Sequence, residues 1–122
     1  MTAPHFVHLR LHSEFSIVDG TVRLDDGIAA AVADAMPALA VTDLANAFGL
    51  VKFYRAARAR GVKPIIGCDV WLTHEAERDQ PFRALLLAQS RAGYLRLSAW
   101  LTRAYRGNQH RGSGSRPSAM AR

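Results

Sequence analysis

Four side chains of the kinds that bind metal ions or phosphate groups lie where strands are predicted to end. Arg10 and His12 end the first predicted strand, Asp43 follows the second, and Asp69 lies in the third. Imidazole nitrogens suit zinc, and carboxylate oxygens suit manganese or magnesium. In a β/α barrel, functional groups collect at the carboxyl ends of the strands, where these four residues fall. The pattern therefore indicates a site, although it does not define a reaction.

The elements that position these residues follow from hydrophobic periodicity. Alternating residues predict a strand over 6–12, with Arg10 and His12 on its polar face. The other predicted elements are helix 24–35, strand 38–42, loop 43–48, helix 49–60, strand 64–72, turn 73–81, strand 82–88 and helix 94–105. Proline at position 37 ends the first helix, and Gly61 ends the second. Strands that alternate with helices predict an α/β fold with a parallel, helix-covered sheet.

Charge is distributed unevenly along the 122 residues. The net charge is +6, all ten acidic residues lie at or before Asp79, and eight arginines follow from Gln80 onward. A basic region can contact nucleic-acid phosphates, although composition alone favours a solvated helix face followed by a tail. From Gly107 onward, Gly, Ser and Arg dominate, so we expect residues 107–122 to be a disordered or aberrant basic tail.

Cysteine content and hydropathy indicate a compartment. A single cysteine, Cys68, excludes an internal disulfide framework, fits a reducing cytosol and is expected to be a small core residue. The N-terminus lacks a secretory signal pattern, and the apolar runs are too short to span a membrane. We therefore expect a cytoplasmic protein with no membrane partner.

Three ordered segments carry a resemblance to a known family. These segments are FVHLRLHSEFSIVDG, MPALAVTDLANAFGLVKFY and KPIIGCDVW. They resemble the N-terminal PHP (polymerase and histidinol phosphatase) domain of bacterial DNA polymerase III alpha subunits of the proteobacterial type. The resemblance implies a partial PHP-type β/α barrel over residues 1–106, with the first strands and helices only. Because the family's barrel has more than twice this length, we expect a truncated product, a gene fragment or a frameshifted copy.

The resemblance also implies a set of metal ligands. In metal-binding relatives, H-x-H, a following D-G, T-D-H and G-C-E supply these ligands. His12 and Asp19 match this pattern, and Asp69 replaces the glutamate with a shorter side chain. Intact relatives hold zinc or manganese through such ligands.

Other positions depart from the ligand pattern. Arg10 stands where the first histidine of H-x-H would be, Leu44 replaces the last residue of T-D-H, and Arg83 replaces another histidine. Neither a guanidinium nor an alkyl group can donate a lone pair to a metal. We therefore predict a degenerate metal site, in which His12 and the two carboxylates can hold at most one ion weakly.

Structural roles are predicted for the polar residues of this site. Arg10 is expected to pair with Asp19, Asp43 or Asp69 and to replace the charge of the missing metal. Asp43 is expected to cap the turn and the following helix through its carboxylate. Asn46 is expected to have a similar role in that loop.

The resemblance implies a function in DNA replication. We expect a scaffold and partner-binding segment of the alpha subunit, without catalysis or a cofactor of its own, because the nucleotidyltransferase site, which uses magnesium, is missing. Expected partners are the rest of the alpha subunit, the proofreading exonuclease subunit, and DNA through the holoenzyme. The alternatives are a metal-dependent PHP phosphoesterase, which Arg10 and Leu44 disfavour, and a small basic nucleic-acid-binding protein.

Overall fold

Three strands and three helices make up the fold, which a computed structural model describes over residues 6–73, 76 and 80–107. In chain order they are α1 Leu24–Ala33, β1 Ala38–Val41, α2 Leu50–Ala59, β2 Lys63–Leu72, β3 Phe82–Leu87 and α3 Arg91–Gly107. The predicted α/β class is therefore confirmed.

The first predicted strand is the element that the sequence described wrongly. Residues 6–12 are extended but form no regular strand. They run beside β1, where the amide of Ala40 donates to the carbonyl of His8 at 3.0 Å and that of Thr42 donates to the carbonyl of Leu11 at 2.8 Å. The amide of Leu11 donates to the hydroxyl of Thr42 at 2.9 Å. Because a side chain takes the place of a backbone acceptor, the ladder is interrupted.

The sheet has the strand order β1-β2-β3. β1 and β2 are parallel, with Val41 opposite Ile66. β3 runs antiparallel to β2, with Asp69 opposite Leu85. The parallel arrangement predicted for strands that alternate with helices is therefore present in β1 and β2, whereas β3, for which the sequence predicted no direction, pairs antiparallel with β2.

The ends of the helices follow local signals. Gly61 follows α2 with a φ of +75°, as expected for a glycine that ends a helix. α1 ends at Ala33, slightly before the prediction, and Ala35 takes a φ of +55° just beyond it. α3 begins earlier than predicted, because the hydroxyl of Ser90 accepts a hydrogen bond from the amide of Gly93 at 3.1 Å and caps the first turn.

All three helices pack on one face of the sheet. α1 and α2 cover a cluster that includes Leu39 and Val41 of β1, and α3 covers Cys68 and Val70 of β2. On the opposite face lie Asp69 of β2 and Leu85 and Leu87 of β3, the last two 37% and 36% exposed. The site described below lies on this second face, which in a closed barrel is the interior.

Some predictions concern residues outside the described part of the chain. The predicted basic tail falls there from residue 108, although Gly107 itself ends α3. Most of the predicted turn at 73–81 also lies outside it. Among the described residues, no helix has the length and apolar character needed to cross a membrane.

Candidate functional site

Asp69 is the centre of the site. Its side chain is fully buried on β2, and its Oδ2 atom accepts hydrogen bonds from Arg10 Nε at 2.7 Å and from His12 Nε2 at 2.5 Å. The guanidinium of Arg83, on β3, lies 3.5 Å from the same oxygen and stacks over Trp71. Three nitrogen atoms, two from the segment before α1 and one from β3, thus converge on one carboxylate oxygen.

His12 joins this centre to a second carboxylate. Its Nδ1 atom lies 2.8 Å from Asp19 Oδ2, while its Nε2 atom contacts Asp69. A neutral imidazole can donate only one hydrogen bond, so an imidazolium satisfies both carboxylates. Both ring nitrogens of His12 are therefore in contact with carboxylate oxygens. We call Arg10, His12, Asp19, Asp69 and Arg83 together the Asp69 network.

Asp19 is held by partners on two sides. Its Oδ1 atom accepts a hydrogen bond from the hydroxyl of Ser16 at 2.6 Å. Burial raises the pKa of Asp19, but the hydrogen bonds from Ser16 and His12 outweigh it, so the pKa lies below the ordinary value. The ionised form of Asp19 is therefore favoured in the folded chain.

The geometry of these residues does not fit a metal ion. A zinc ion at about 2.1 Å from a nitrogen and an oxygen ligand separates the two by about 3.4 Å. The separations from His12 to its two carboxylates are 2.5 and 2.8 Å, which leaves no room for an ion between them. Leu44 offers no donor atom. Among the described residues, no group of three or more His, Cys, Asp or Glu side chains is arranged to hold a metal.

Asp43 has a different role from the predicted one. Its carboxylate accepts hydrogen bonds from the amide of Ser13 at 2.6 Å and from its hydroxyl at 2.8 Å. The prediction that it caps the following helix is wrong, because α2 begins only after Gly49, where no side-chain cap is present. Burial raises the pKa of Asp43 despite these bonds. Asp43 therefore links the residues that follow segment 6–12 to the end of β1 through hydrogen bonds.

Two buried serines complete the site, and sequence reasoning did not single them out. Ser13 binds Asp43, and the hydroxyl of Ser16 accepts a hydrogen bond from the amide of Leu44 at 3.0 Å while it donates to Asp19. The sequence signal that could have indicated them is the presence of two serines shortly after the predicted first strand. Asn46 holds the facing loop, since its Nδ2 atom donates to the carbonyl of Phe15 at 2.9 Å.

The thiol of Cys68 adjoins the site without taking part in it. It is fully buried and donates to the carbonyl of Asp43 at 3.3 Å. Burial raises the pKa of this thiol to about 12. Because the thiolate is the nucleophilic form, Cys68 is an inert core residue, as expected from the sequence.

The chain is similar to replicative polymerase subunits. Residues 8–120 match the PHP domain family. The chain is 53% identical over 107 residues to DNA polymerase III subunit alpha of Neisseria meningitidis. The corresponding subunits of Pseudomonas aeruginosa and Escherichia coli K12 are 46% and 41% identical. These alignments cover 86–88% of the chain but only 9% of each relative, and they fall in its N-terminal region.

Two solved structures share the fold. An amidohydrolase from Chromobacterium violaceum, which contains sulfate and no metal, has a TM-score of 0.63 at 26% identity, covering 84% of this chain and 34% of its own. A putative metal-dependent phosphoesterase from Bifidobacterium adolescentis has a TM-score of 0.58 at 16% identity, covering 87% and 37%. The predicted partial PHP-type barrel is thereby confirmed. Together with the family match, these similarities show that the chain belongs to the PHP domain family.

Proposed function

We propose that this chain supplies a scaffold portion of the PHP domain of a replicative polymerase alpha subunit. In this proposal the Asp69 network stands where metal-binding relatives hold their ions. The observation that carries the proposal is the convergence of Arg10 Nε and His12 Nε2 on Oδ2 of the buried Asp69. A site arranged in this way compensates its charges with side chains of the protein, although Oδ1 of Asp69 is buried without a hydrogen-bond partner.

Electrostatics explains how such a site can persist without a metal. Two carboxylates bridged by one side chain repel each other unless cations lie between or beside them. The imidazole ring of His12 lies between Asp19 and Asp69, and Arg10 adds a fixed positive charge beside Asp69. A guanidinium does not deprotonate, so this compensation does not depend on metal supply.

The proposed role implies particular partners and cofactors. The chain would pack against the rest of the alpha subunit in the cytoplasm and contribute to the surface that binds the proofreading exonuclease subunit, reaching DNA through the holoenzyme. It would need no cofactor of its own, whereas the polymerase centre of the complete subunit would use magnesium. PHP relatives with intact ligands would retain zinc or manganese.

A comparison of metal responses tests the proposal. The wild-type chain is compared with an Arg10→His/Leu44→His variant, which restores imidazoles at both substituted positions. Each protein is analysed for bound metal after purification and unfolded thermally with and without zinc or manganese. For the wild type we expect no near-stoichiometric bound metal and no change in unfolding temperature when zinc or manganese is added. For the double variant we expect the unfolding temperature to rise when either metal is added.

An assay of phosphoesterase activity can contradict the proposal. We expect neither metal to produce turnover of a phosphoester substrate by the wild-type chain. Metal-dependent turnover that disappears in a His12→Ala variant would overturn the proposal and favour the phosphoesterase alternative. Stoichiometric metal in the wild-type protein would contradict it as well.

A further inference from the structure

One face of α3 carries arginines and points away from the core. Successive helical residues are about 100° apart, so Arg96, Arg103 and Arg106 fall within an arc of about 80°. The buried residues of α3, Leu97 and Leu101 among them, lie on the opposite side and pack against the sheet. All three arginines are exposed. We call them the α3 arginine stripe.

The charge of the stripe is not compensated within the described residues. The ion pairs there involve Arg10, Arg83, His12 and Lys52, and none involves an arginine of α3. The sequence from Gln80 onward has no acidic residue. Because these guanidiniums are not paired, the stripe presents a concentrated positive potential.

The spacing of the stripe suits a polyanion. At about 1.5 Å per residue, Arg96 and Arg103 are about 10.5 Å apart along the axis, and Arg106 lies about 4.5 Å further on. Ala99 is exposed between them, so a small side chain leaves the helix surface open to close approach. Guanidinium groups bind phosphates through paired hydrogen bonds. The helix therefore holds three phosphate-binding groups on one rigid, accessible line.

We infer that the α3 arginine stripe binds the phosphate backbone of nucleic acid without reading base sequence. An acidic protein surface is the other candidate, but protein interfaces centre on clusters of large apolar side chains, and Leu95 is the one large apolar residue of α3 that is exposed beside the stripe. The choice of nucleic acid also rests on the proposed function within a replicative polymerase. The inference goes beyond that function, since a scaffold needs no contact with DNA.

The salt dependence of DNA binding tests this inference with a charge-matched control. The full chain is titrated with a fluorescently labelled duplex of about 20 base pairs at several salt concentrations. The stripe variant is Arg96→Gln/Arg103→Gln/Arg106→Gln. The control variant, Arg55→Gln/Arg58→Gln/Arg60→Gln, removes the same charge from exposed positions on or next to α2. Circular dichroism compares the helix content of all three proteins.

We expect the stripe variant to lower the slope of log Kd against log salt by about 2.7, since each lost phosphate contact removes about 0.9. The control variant should leave the slope nearly unchanged. Equal losses in both variants would overturn the inference, because binding would then follow net charge or an unfolded polycation. No binding to DNA at low salt would also overturn it.

A competitor separates the two classes of macromolecule. If polyglutamate displaces the duplex as well as unlabelled DNA does at equal charge, the stripe is a site for acidic protein and the inference fails. The metal titrations of the Asp69 network do not depend on these arginines. Failure of the DNA inference is therefore distinguishable from failure of the proposed function.

Discussion

The pair formed by Arg10 and Asp69 should stabilise the fold measurably. Asp69 is fully buried, whereas the side chain of Arg10 is 54% exposed. We consider Arg10→Met, which keeps an apolar stem, Asp69→Asn, which keeps the shape without the charge, and the double variant. The cycle isolates the interaction between the two side chains from the other effects of each substitution.

The expected loss of stability depends on how deeply the pair is buried and on which partners of Asp69 remain after the substitution. Removing one partner of a fully buried ion pair costs about 3–5 kcal/mol. Here water can reach Arg10, and His12 still donates to Asp69, so the cost should be smaller. We expect Arg10→Met to lower the free energy of unfolding by about 2 kcal/mol, which corresponds to a decrease of about 8 °C in the unfolding temperature of a domain of this size.

Equilibrium urea unfolding followed by circular dichroism measures these differences, with sucrose present in every sample to favour the compact state. Arg103→Met is the matched control, because Arg103 is exposed and makes no ion pair within the described residues. It should change stability by no more than about 0.5 kcal/mol. A coupling energy between Arg10 and Asp69 below about 0.5 kcal/mol would refute the reasoning.

Four further outcomes are expected. Gly20→Ala should destabilise the chain by about 2 kcal/mol or more in urea unfolding, because the new Cβ would lie 1.8 Å from the carbonyl oxygen of Ser13. Ala35→Gly should stabilise it by about 1 kcal/mol in the same assay, since Ala35 has a φ of +55°. Cys68 should resist alkylation in the native state and react in urea, as mass spectrometry can show, because its thiol is buried with a pKa of about 12. The lowered pKa of Asp19 stabilises the fold above its ordinary value of 3.8, and this contribution should disappear as pH falls through the lower folded pKa. Acid titrations that are identical for the wild type and for Asp19→Asn would contradict the last expectation.

Local signals were sufficient for most of the secondary structure. β1 and α2 lie within one residue of the predicted bounds, since periodicity and Gly61 act over a few neighbouring residues. The extended segment 6–12 escaped correct prediction because its hydrogen bonds depend on Thr42, a side chain on another element. The antiparallel pairing of β3 with β2 likewise depends on backbone contacts between two separate strands.

The sequence by itself determined which residue types are present at the site, and its resemblance to the PHP family predicts which metal-ligand positions carry other residues. Arg10 and Leu44 cannot bind a metal in any fold, because the atoms of their side chains offer no suitable lone pair. Periodicity also placed Arg10 and His12 on one face, because side chains alternate along an extended chain. These conclusions rest on chemistry and on near neighbours in the chain.

Only the tertiary structure decided how those residues are paired. Three carboxylates were open to Arg10 on sequence grounds, and the fold places Asp69, 59 residues away, against it. The fold also brings Asp43 into hydrogen-bonding contact with Ser13 and places His12 between Asp19 and Asp69. Hydrogen bonds act over about 3 Å, so partners distant in sequence are chosen by the packing that brings them together.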